Sequence, residues 1–309
     1  MCVRINCVKN FLGHIKSPLG GNVSGMKPSP FKYLRPNSLD HALELLHLHG
    51  DGAKVLAGGQ SLLPIINFRL AAPEYLIDIN DIQGLNFISL NDGYLMMGPS
   101  VTWADIVCSD VVAKAAPILQ DAVKLVAHYQ IRNRGTWAGS CAHADVAAEF
   151  PAMAVLCDAE FTLRSHGATR KILAADFFQG ALTTALMPEE LIVQINIPTS
   201  GEALFWKVDE FALRSGDFAL AGAAILITGS EQKPEARIVS FGLGHGPQRM
   251  TKLEQLIADE GLSEDRIRRY VSVAEEEVDS HSDIYASADY RRAVFGDLLG
   301  SALREFVRR

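Results

Sequence analysis

Two glycine-containing segments carry the residue types that bind anionic ligands through the backbone. The first is Val55-Leu-Ala-Gly-Gly-Gln-Ser-Leu62, in which an apolar run indicates a short buried strand that stops at the paired glycines. Glycine backbone can curve closely around a phosphate, and the start of the helix that follows adds a partial positive charge. The segment is not G-x-G-x-x-G, so it does not indicate a Rossmann nucleotide site. Taken alone, a Gly-Gly pair is more often an ordinary turn.

The second segment is another small-residue turn between polar flanks. It runs Gln130-Ile-Arg-Asn-Arg-Gly-Thr-Trp-Ala-Gly-Ser140 and continues as Cys141-Ala-His-Ala-Asp-Val-Ala-Ala-Glu149. Cys141 and His143 are also the residue types of a nucleophile with its base, or of a covalent flavin attachment point. Adjacency in sequence is not the geometry of a catalytic pair, so we favour neither interpretation.

Together the two segments resemble the paired glycine motifs of the flavoprotein (medium) subunit of the molybdenum hydroxylases, the family of the xanthine dehydrogenase and carbon monoxide dehydrogenase types. In that family the motifs read roughly A-G-G-Q/H-S-L and T-I-G-G-S/N-x-x-x-A-D/S-P-x-x-D/E, and both hold FAD. The resemblance extends from about Met26 to the C-terminus. It implies an α+β chain with a two-part FAD-binding domain of the vanillyl-alcohol-oxidase (PCMH) type. A smaller α+β C-terminal domain, a three-stranded antiparallel sheet with helices, is expected to follow.

The resemblance implies FAD contacts but neither a catalytic side chain nor a metal ligand in this chain. Trp137-Ala138 replaces the usual Ile-Gly, and the extra methyl would matter if Ala138 had a positive φ, with a strain of about 1 kcal/mol, or if it touched a phosphate. Glu149 could lie on a solvated helix surface instead of contacting FAD. For Ile192, packing in the core explains an apolar residue as well as an FAD contact does. The implied FAD-binding residues are Val55, Leu56, Ala57, Gly58, Gly59, Gln60, Ser61, Leu62, Thr136, Ala138, Gly139, Ser140, Glu149 and Ile192.

A third segment that resembles the family lies in the second half of the chain. Arg214-Ser-Gly-Asp-Phe-Ala219 is similar to the R-x-G-D-F/Y-A turn early in the C-terminal domain. Relatives often carry a lysine just before this turn that reaches the flavin, whereas Asp209 and Glu210 occupy that region here. A carboxylate near the flavin would disfavour an anionic reduced flavin. Either Lys207 takes the place of that lysine or the contact is absent.

Composition excludes several other classes of protein. With 48% hydrophobic and 21% charged residues, the 309-residue chain is globular and long enough for two domains. A net charge of −7 argues against broad nucleic-acid binding. The sequence contains no run of about 18 apolar residues, so it predicts no membrane-spanning helix. The cysteines are odd in number and form no C-x-x-C, so we expect no cysteine-bound metal and a reducing, cytoplasmic location: Cys2, Cys7, Cys108, Cys141 and Cys157.

The chain is expected to divide into three parts. Residues 1–25 contain no Asp or Glu and precede the family resemblance, so we expect a disordered or non-native extension with Met26 as the natural start. Residues 26–200 form the expected FAD-binding domain, and residues 204–309 form the C-terminal domain. The boundary between these two domains is expected near residues 199–204.

Local patterns predict the elements that hold these motifs. Ser38 or Asn37 can cap a helix from Leu39 to about His49, and Thr102 can cap another. Asn91-Asp-Gly93 is a strong hairpin signal. Apolar and polar residues alternate along 191–197, and Pro198 follows, which predicts an edge or closing strand. Further helices are predicted at 61–68, 113–127, 151–156, 250–260, 263–278 and 288–309, and strands at 75–79, 84–88, 94–98, 159–163, 205–211, 219–228 and 236–243.

The resemblance implies an oxidoreductase subunit that carries electrons. It implies that FAD on this chain takes electrons from the [2Fe–2S] clusters of a small subunit and passes them to an external acceptor. A large molybdopterin subunit oxidises the substrate, and such complexes are usually dimers of heterotrimers. Two alternatives remain: a self-sufficient FAD-dependent oxidase or reductase, and a flavin-carrying assembly scaffold without turnover.

Overall fold

The computed structural model describes residues 28–199, 203–230 and 233–309. The expectations for residues 1–25 and for Met26 as the start therefore lie outside the described residues, as do residues 200–202 of the expected domain boundary. The described chain forms a mixed helix and sheet structure with an N-terminal domain of two lobes and a C-terminal domain. This is the predicted fold class, with the differences in strands that follow.

The first lobe is a parallel sheet with two helices. Its three strands lie in the order β1-β3-β2. The hydroxyl of Ser38 accepts a hydrogen bond from the backbone N–H of His41, which confirms the predicted cap of the first helix. The elements are β1 (Lys32–Leu34), α1 (Leu39–His49), β2 (Ala53–Leu56), α2 (Leu62–Asn67) and β3 (Tyr75–Asp78).

The second lobe is a five-stranded antiparallel sheet surrounded by helices. The strand order is β4-β5-β10-β6-β7, with a separate two-stranded ladder of β8 and β9. The strands are β4 (Ile88–Asn91), β5 (Tyr94–Met97), β6 (Glu160–Ser165), β7 (Ala168–Leu173), β8 (Phe178–Gly180), β9 (Thr183–Thr184) and β10 (Leu191–Pro198). The helices are α3 (Trp103–Val107), α4 (Asp110–Ala115), α5 (Pro117–Leu125), α6 (Tyr129–Arg132), α7 (Trp137–His143), α8 (Glu149–Leu156) and α9 (Ala174–Phe177).

The C-terminal domain is an antiparallel sheet covered on one face by helices. Three of its strands were predicted, but the sheet has four, in the order β11-β12-β13-β14. The fourth strand is only two residues long, and a segment of that length carries no sequence periodicity. The elements are β11 (Phe205–Phe211), β12 (Ala221–Ser230), β13 (Lys233–Phe241), β14 (Gln248–Arg249), α10 (Thr251–Glu260), α11 (Ile267–Glu277) and α12 (Ala288–Val307).

The predictions for the first hairpin strand and for β10 were wrong. The turn holds only Asp92 and Gly93, both with positive φ, and Asn91 pairs with Tyr94. A two-residue turn requires the strand to end immediately before it, so β4 occupies 88–91 instead of 84–88. Strand β10 pairs with both β5 and β6, which makes it central. Pro198 is compatible with a central strand because it stands at the last paired position.

The helix predicted at 113–127 contains a proline at position 117, which in the sequence could mark a restart, and the structure has two helices there. Ala116 has an extended φ of −153°, and Pro117 begins α5 at its first position, where proline needs no N–H partner. The capping box of Thr102 and Asp105 starts α3 as predicted. The helix predicted at 61–68 is shorter, and only Ile66 of its apolar residues is buried.

One hydrophobic core extends across both domains. It includes the buried helix α8 and the sheet of the second lobe, together with Ala224, Val239 and Phe241 of the C-terminal sheet. The indole N–H of Trp206 on β11 donates to Asp121 at 2.9 Å, which adds a polar link across the interface. The two domains are therefore packed against each other along α5 and α8.

We predict that Gly222→Ala on β12 lowers the free energy of unfolding. A Cβ at position 222 would lie 2.2 Å from the ring of Phe241, which is buried and cannot turn away freely. The expected loss is about 2 kcal/mol because the core must shift to make room. Urea unfolding midpoints measure it. The control is Gly246→Ala, where a Cβ meets nothing within 4 Å; equal midpoints for the two variants would contradict the prediction.

Candidate functional site

A cavity of about 1330 Å³ lies where the two lobes and the C-terminal domain meet. Its walls are the loop after β2, the N-terminal part of α7, the segment before α8 and the start of the C-terminal domain. Of the fourteen residues that the sequence predicted, all but Leu56 line this cavity. Leu56 packs behind the first loop, where its side chain would touch a Cβ on Gly59 at 3.0 Å.

The first loop follows directly from strand β2. Leu56 pairs with Asp78 in the parallel sheet, and the side chain of Asn80 donates to the carbonyl of Ala57 at 2.9 Å. Gly59 has a φ of +72°, a conformation that glycine adopts without strain. The amide of Gln60 donates to the carbonyl of Gly58 at 2.9 Å, so this side chain supports the loop.

The backbone N–H groups of this loop remain available to a ligand. Among the described residues, those of Gly58, Gly59, Gln60 and Ser61 donate to no protein acceptor. Ser61 occupies the position before α2, but its hydroxyl caps no backbone N–H. Because uncompensated N–H groups are costly when buried, a row of them at a cavity wall is suited to anionic oxygens.

Gly58 brings the two glycine segments into contact. A Cβ at position 58 would lie 2.2 Å from the carbonyl oxygen of Arg134 and 2.7 Å from the α-carbon of Gly135. No side chain fits between these backbones, so only glycine permits the approach. The residue just before the second motif is thereby held against the first loop.

The second motif forms the first turn of helix α7. Thr136 is its cap, and the threonine hydroxyl accepts from the N–H of Gly139 at 3.1 Å. Ala138 has no positive φ, so the methyl group that replaces glycine causes no backbone strain. The indole of Trp137 is buried, contacts Phe150 and donates to its carbonyl at 3.2 Å. The unusual tryptophan therefore serves core packing.

Glu149 begins helix α8 and lines the cavity. It is not on a solvated helix surface, because the protein encloses it on most sides and leaves part of it open to the cavity. Burial raises the pKa of Glu149 to about 7, and Asp145 adds to the shift. Its own backbone N–H and Arg132 oppose the shift. Ile192 on β10 is also buried, so it belongs to both the core and the cavity wall.

The salt bridge of Lys207 shows that this residue does not take the place of the lysine that reaches the flavin in relatives. The ammonium group lies 2.7 Å from Glu305 on α12, and Lys207 is not among the residues that line the cavity. Its neighbour Glu210 lies on the other face of β11, with Trp206 and Val208 that pack on the shared core. Burial raises the pKa of Glu210 to about 8, and the charges of Glu149 and Asp209 add to the shift.

Cys141 is not placed for nucleophilic chemistry or flavin attachment. Its side chain is fully buried and does not line the cavity, although His143 does. Burial raises the pKa of Cys141 far above its ordinary range, because the thiolate would lose its hydration. The thiol lies 3.9 Å from the carbonyl of Phe150. It is a core residue.

Most of the C-terminal wall of the cavity was missing from the predicted set. The turn Arg214–Ala219 was noticed in the sequence for its R-x-G-D-F-A pattern, and its residues 216–219 line the cavity. Gly216 has a φ of +84°, and a Cβ there would lie 2.5 Å from the ring of His128. The other missed lining residues include Leu182, Met187, Leu213, Gly242, His281, Asp283, Tyr285 and Arg291.

Arg291 fixes this wall from inside the C-terminal domain. The buried guanidinium donates to the carbonyls of Leu220 at 2.6 Å and Gly242 at 2.8 Å. It also forms a salt bridge with Asp283 at 2.7 Å. A single side chain on α12 thus joins three loop segments that face the cavity, although nothing in the local sequence singles it out.

Comparison with known proteins decides the family. Residues 29–200 match the FAD-binding domain in molybdopterin dehydrogenase, and residues 206–306 match the CO dehydrogenase flavoprotein C-terminal domain. The chain is a medium FAD subunit of the molybdenum hydroxylase family. It is therefore an oxidoreductase component.

Relatives of this medium subunit match along nearly their whole length. The alpha subunit of the 6-hydroxypseudooxynicotine dehydrogenase complex of Paenarthrobacter nicotinovorans is 37% identical over 286 residues, which is 92% of this chain and 97% of the relative. The carbon monoxide dehydrogenase medium chain of Hydrogenophaga pseudoflava is 31% identical over 279 residues, which is 90% of this chain and 97% of the relative.

Solved structures of the family have the same fold as this medium subunit. Carbon monoxide dehydrogenase from H. pseudoflava superimposes with a TM-score of 0.86 at 32% identity, over 90% of this chain and 98% of that chain. Quinoline 2-oxidoreductase from Pseudomonas putida 86 gives a TM-score of 0.86 at 32% identity, over 92% and 99%. Within the described residues, no helix combines the length and apolar character needed to cross a bilayer.

We predict that Glu210→Gln stabilises this medium subunit at alkaline pH. An unfolded glutamate titrates near pH 4.3, whereas burial raises the pKa of Glu210 to about 8. As the pH rises between these values, the unfolded chain loses its proton first and wild-type stability falls. The neutral amide avoids this loss, so the variant should gain on the order of 2 kcal/mol by about pH 9 and little near pH 4.

Urea unfolding across this pH range measures the difference between variant and wild type. The control is Glu235→Gln, which changes an exposed carboxylate on β13. If the Glu210→Gln difference stayed constant with pH, the assignment of a protonated Glu210 would be refuted.

Proposed function

We propose that this medium subunit binds FAD noncovalently in the cavity and carries electrons. In this proposal, FAD takes them from the [2Fe–2S] clusters of a small subunit and passes them to an external acceptor. A large molybdopterin subunit oxidises the substrate. FAD, when bound, supplies the redox chemistry, and this chain supplies binding, orientation and the electrostatic surroundings.

The arrangement of the two glycine segments carries this proposal. The diphosphate of FAD requires N–H donors without bulky side chains, and the loop from Gly58 to Ser61 offers them at the cavity wall. We assign Thr136, Ala138, Gly139 and Ser140 to the same ligand, since they line the cavity beside that loop.

We assign the C-terminal wall of the cavity to the part of FAD beyond its diphosphate, which includes the planar ring system. Its turn presents Leu213 and Phe218, both exposed and apolar, to the cavity. Leu182 and Met187 of the second lobe are also exposed there. A planar apolar ring system matches such surroundings, because its burial would remove these side chains from water. This chain therefore needs both domains to enclose one cofactor.

The partner and domain assignments belong to the same proposal. We infer an FAD-binding domain of residues 26–200 and a C-terminal domain of residues 204–309. We also infer a cytoplasmic dimer of heterotrimers that contains large molybdopterin and small [2Fe–2S] subunits. The relatives called medium chain and complex subunit support this inference.

The experiment that tests the proposal is an absorbance spectrum of the purified chain, with and without co-expression of neighbouring genes, followed by acid precipitation. We expect a flavin spectrum, FAD in the supernatant and copurification of two partner chains. Acid separates the two modes of binding because it unfolds the protein and releases a cofactor that is not covalently attached.

The other outcomes contradict distinct parts of the proposal. Flavin in the pellet would refute noncovalent binding and favour a self-sufficient oxidase. Absence of flavin from both preparations would refute the cofactor assignment. FAD without copurifying chains would refute the partner assignment.

We predict that Gly58→Ala greatly reduces FAD content. The new methyl group would overlap the carbonyl of Arg134, so the first loop and the second segment must separate. A displacement that costs about 1.4 kcal/mol in binding lowers affinity tenfold, and we expect at least about that loss. Fluorescence titration of the FAD-free protein with FAD measures it.

Gly52→Ala provides a matched control for this prediction. It immediately precedes β2, at the opposite end of the strand from Gly58, and a Cβ there meets only Glu74 at 3.9 Å, an ordinary contact. Circular dichroism of both variants establishes that the fold is retained. Equal FAD affinities in the two variants would show that the contact between loops is not needed for binding.

A further inference from the structure

Two carboxyl groups from different domains come together beside the cavity. Glu149 is the first residue of α8 in the FAD-binding domain, and Glu210 lies near the end of β11 in the C-terminal domain. Glu210 pairs in register with Gly222 of β12, a strand that packs on α8. Glu210 therefore lies on the face of β11 that packs toward the FAD-binding domain, where the charge of Glu149 acts on it, and Glu149 lines the cavity.

Glu210 lacks a partner for a buried oxygen. Its Oε2 atom is buried and forms no hydrogen bond. Among the described residues, neither Glu149 nor Glu210 takes part in a salt bridge. A buried carboxylate without a cation or donors is strongly disfavoured, whereas a protonated carboxyl group is not.

The surrounding charges do not neutralise the two groups. Asp145 faces Glu149 and Asp209 adjoins Glu210, and both are acidic. Arg132 on α6 is the cation that acts on Glu149. Its guanidinium donates to the carbonyl of Ala127 at 3.1 Å instead of to a carboxylate.

The two groups therefore titrate as a coupled unit. The pKa of Glu149 is raised to about 7 by burial. The pKa of Glu210 is raised to about 8 by burial and then by the charge on Glu149, so Glu210 gives up its proton second. The two steps belong to the pair and fall in the neutral range, where a small change in local charge alters proton occupancy.

We propose that Glu149 and Glu210 form one proton-binding unit that takes up a proton from solvent when FAD in the adjoining cavity is reduced. This inference rests on the proposed binding of FAD. The iron–sulfur clusters of the proposed small subunit donate two electrons to FAD, and the reduced flavin takes up one proton of its own from solvent. The remaining added negative charge favours transfer of one further solvent proton to a carboxylate oxygen of the pair, where an O–H bond forms.

The role of the pair is to tune FAD and not to act in catalysis. With the pair ionised, its negative charge opposes the arrival of electrons. With the pair protonated, that repulsion is removed, so the midpoint potential of FAD should rise as the pH falls through the neutral range. The positions of Glu149 and Glu210 on opposite domains also mean that the unit exists only when the domains are packed together.

The test is the midpoint potential of FAD bound to the full chain, measured by spectroelectrochemistry between about pH 6 and about pH 9. Each proton taken up with two electrons contributes about 30 mV per pH unit. Glu149→Gln and Glu210→Gln should each lose one such contribution near neutral pH. Glu235→Gln, an exposed carboxylate of the same sheet, should keep the wild-type slope.

A second readout does not need reduction of the cofactor. In infrared spectra of the FAD-free wild-type protein, the C=O band of a protonated carboxyl group should persist up to neutral pH. The band should be lost from Glu210→Gln. This measurement tests the pair even if a variant fails to bind FAD, and the wild-type band tests it even if a variant fails to fold.

The outcomes separate this inference from the proposed function. Wild-type protein that binds no FAD would refute the proposed function, and the infrared band would still test the pair. Protein that binds FAD but shows the same slope in wild type and both variants would overturn the redox linkage. Absence of a protonated carboxyl band at neutral pH would overturn the pair itself.

Discussion

The backbone contact between Gly58 and residues Arg134 and Gly135 is the constraint on which the cavity depends. It joins the loop after a parallel strand to the segment that begins helix α7. Neither segment forms a site alone, since each presents a few backbone groups on one side only. Their contact turns two common small-residue turns into one continuous wall with unpaired N–H groups. The absence of a single Cβ makes this approach possible.

The C-terminal domain completes the site by packing, not by a flexible arm. Its sheet shares a hydrophobic core with α8, and Arg291 fixes the loops that face the cavity. Shared burial makes the relative position of the domains specific, because close-packed cores tolerate little displacement. A cofactor enclosed by both domains would then be held without conformational closure. The same packing brings Glu210 within range of the charge of Glu149 and keeps the Oε2 atom of Glu210 from water.

Burial of like charges at an interface usually destabilises a protein, so the carboxyl groups of Glu149 and Glu210 lower the stability of this interface when both are ionised. The shared core opposes that cost, and protonation reduces it further at neutral pH. The interface thus contains both a shared apolar core that joins the domains and a carboxyl group whose pKa is raised by its surroundings. Cys141 shows the contrast, because its fully buried thiol lies among apolar neighbours, away from the cavity, and serves packing.

The sequence by itself determined the local features of the protein. Ser38 and Thr102 cap their helices, Asp92 and Gly93 form a turn, and the two motifs together with Ile192 identified thirteen residues that line the cavity. Only the tertiary structure decided that β10 is central, that Leu56 faces away from the cavity and that Glu210 lies beside Glu149. Caps and turns depend on residues within a few positions, whereas these features depend on strand neighbours and domain packing over long sequence separations.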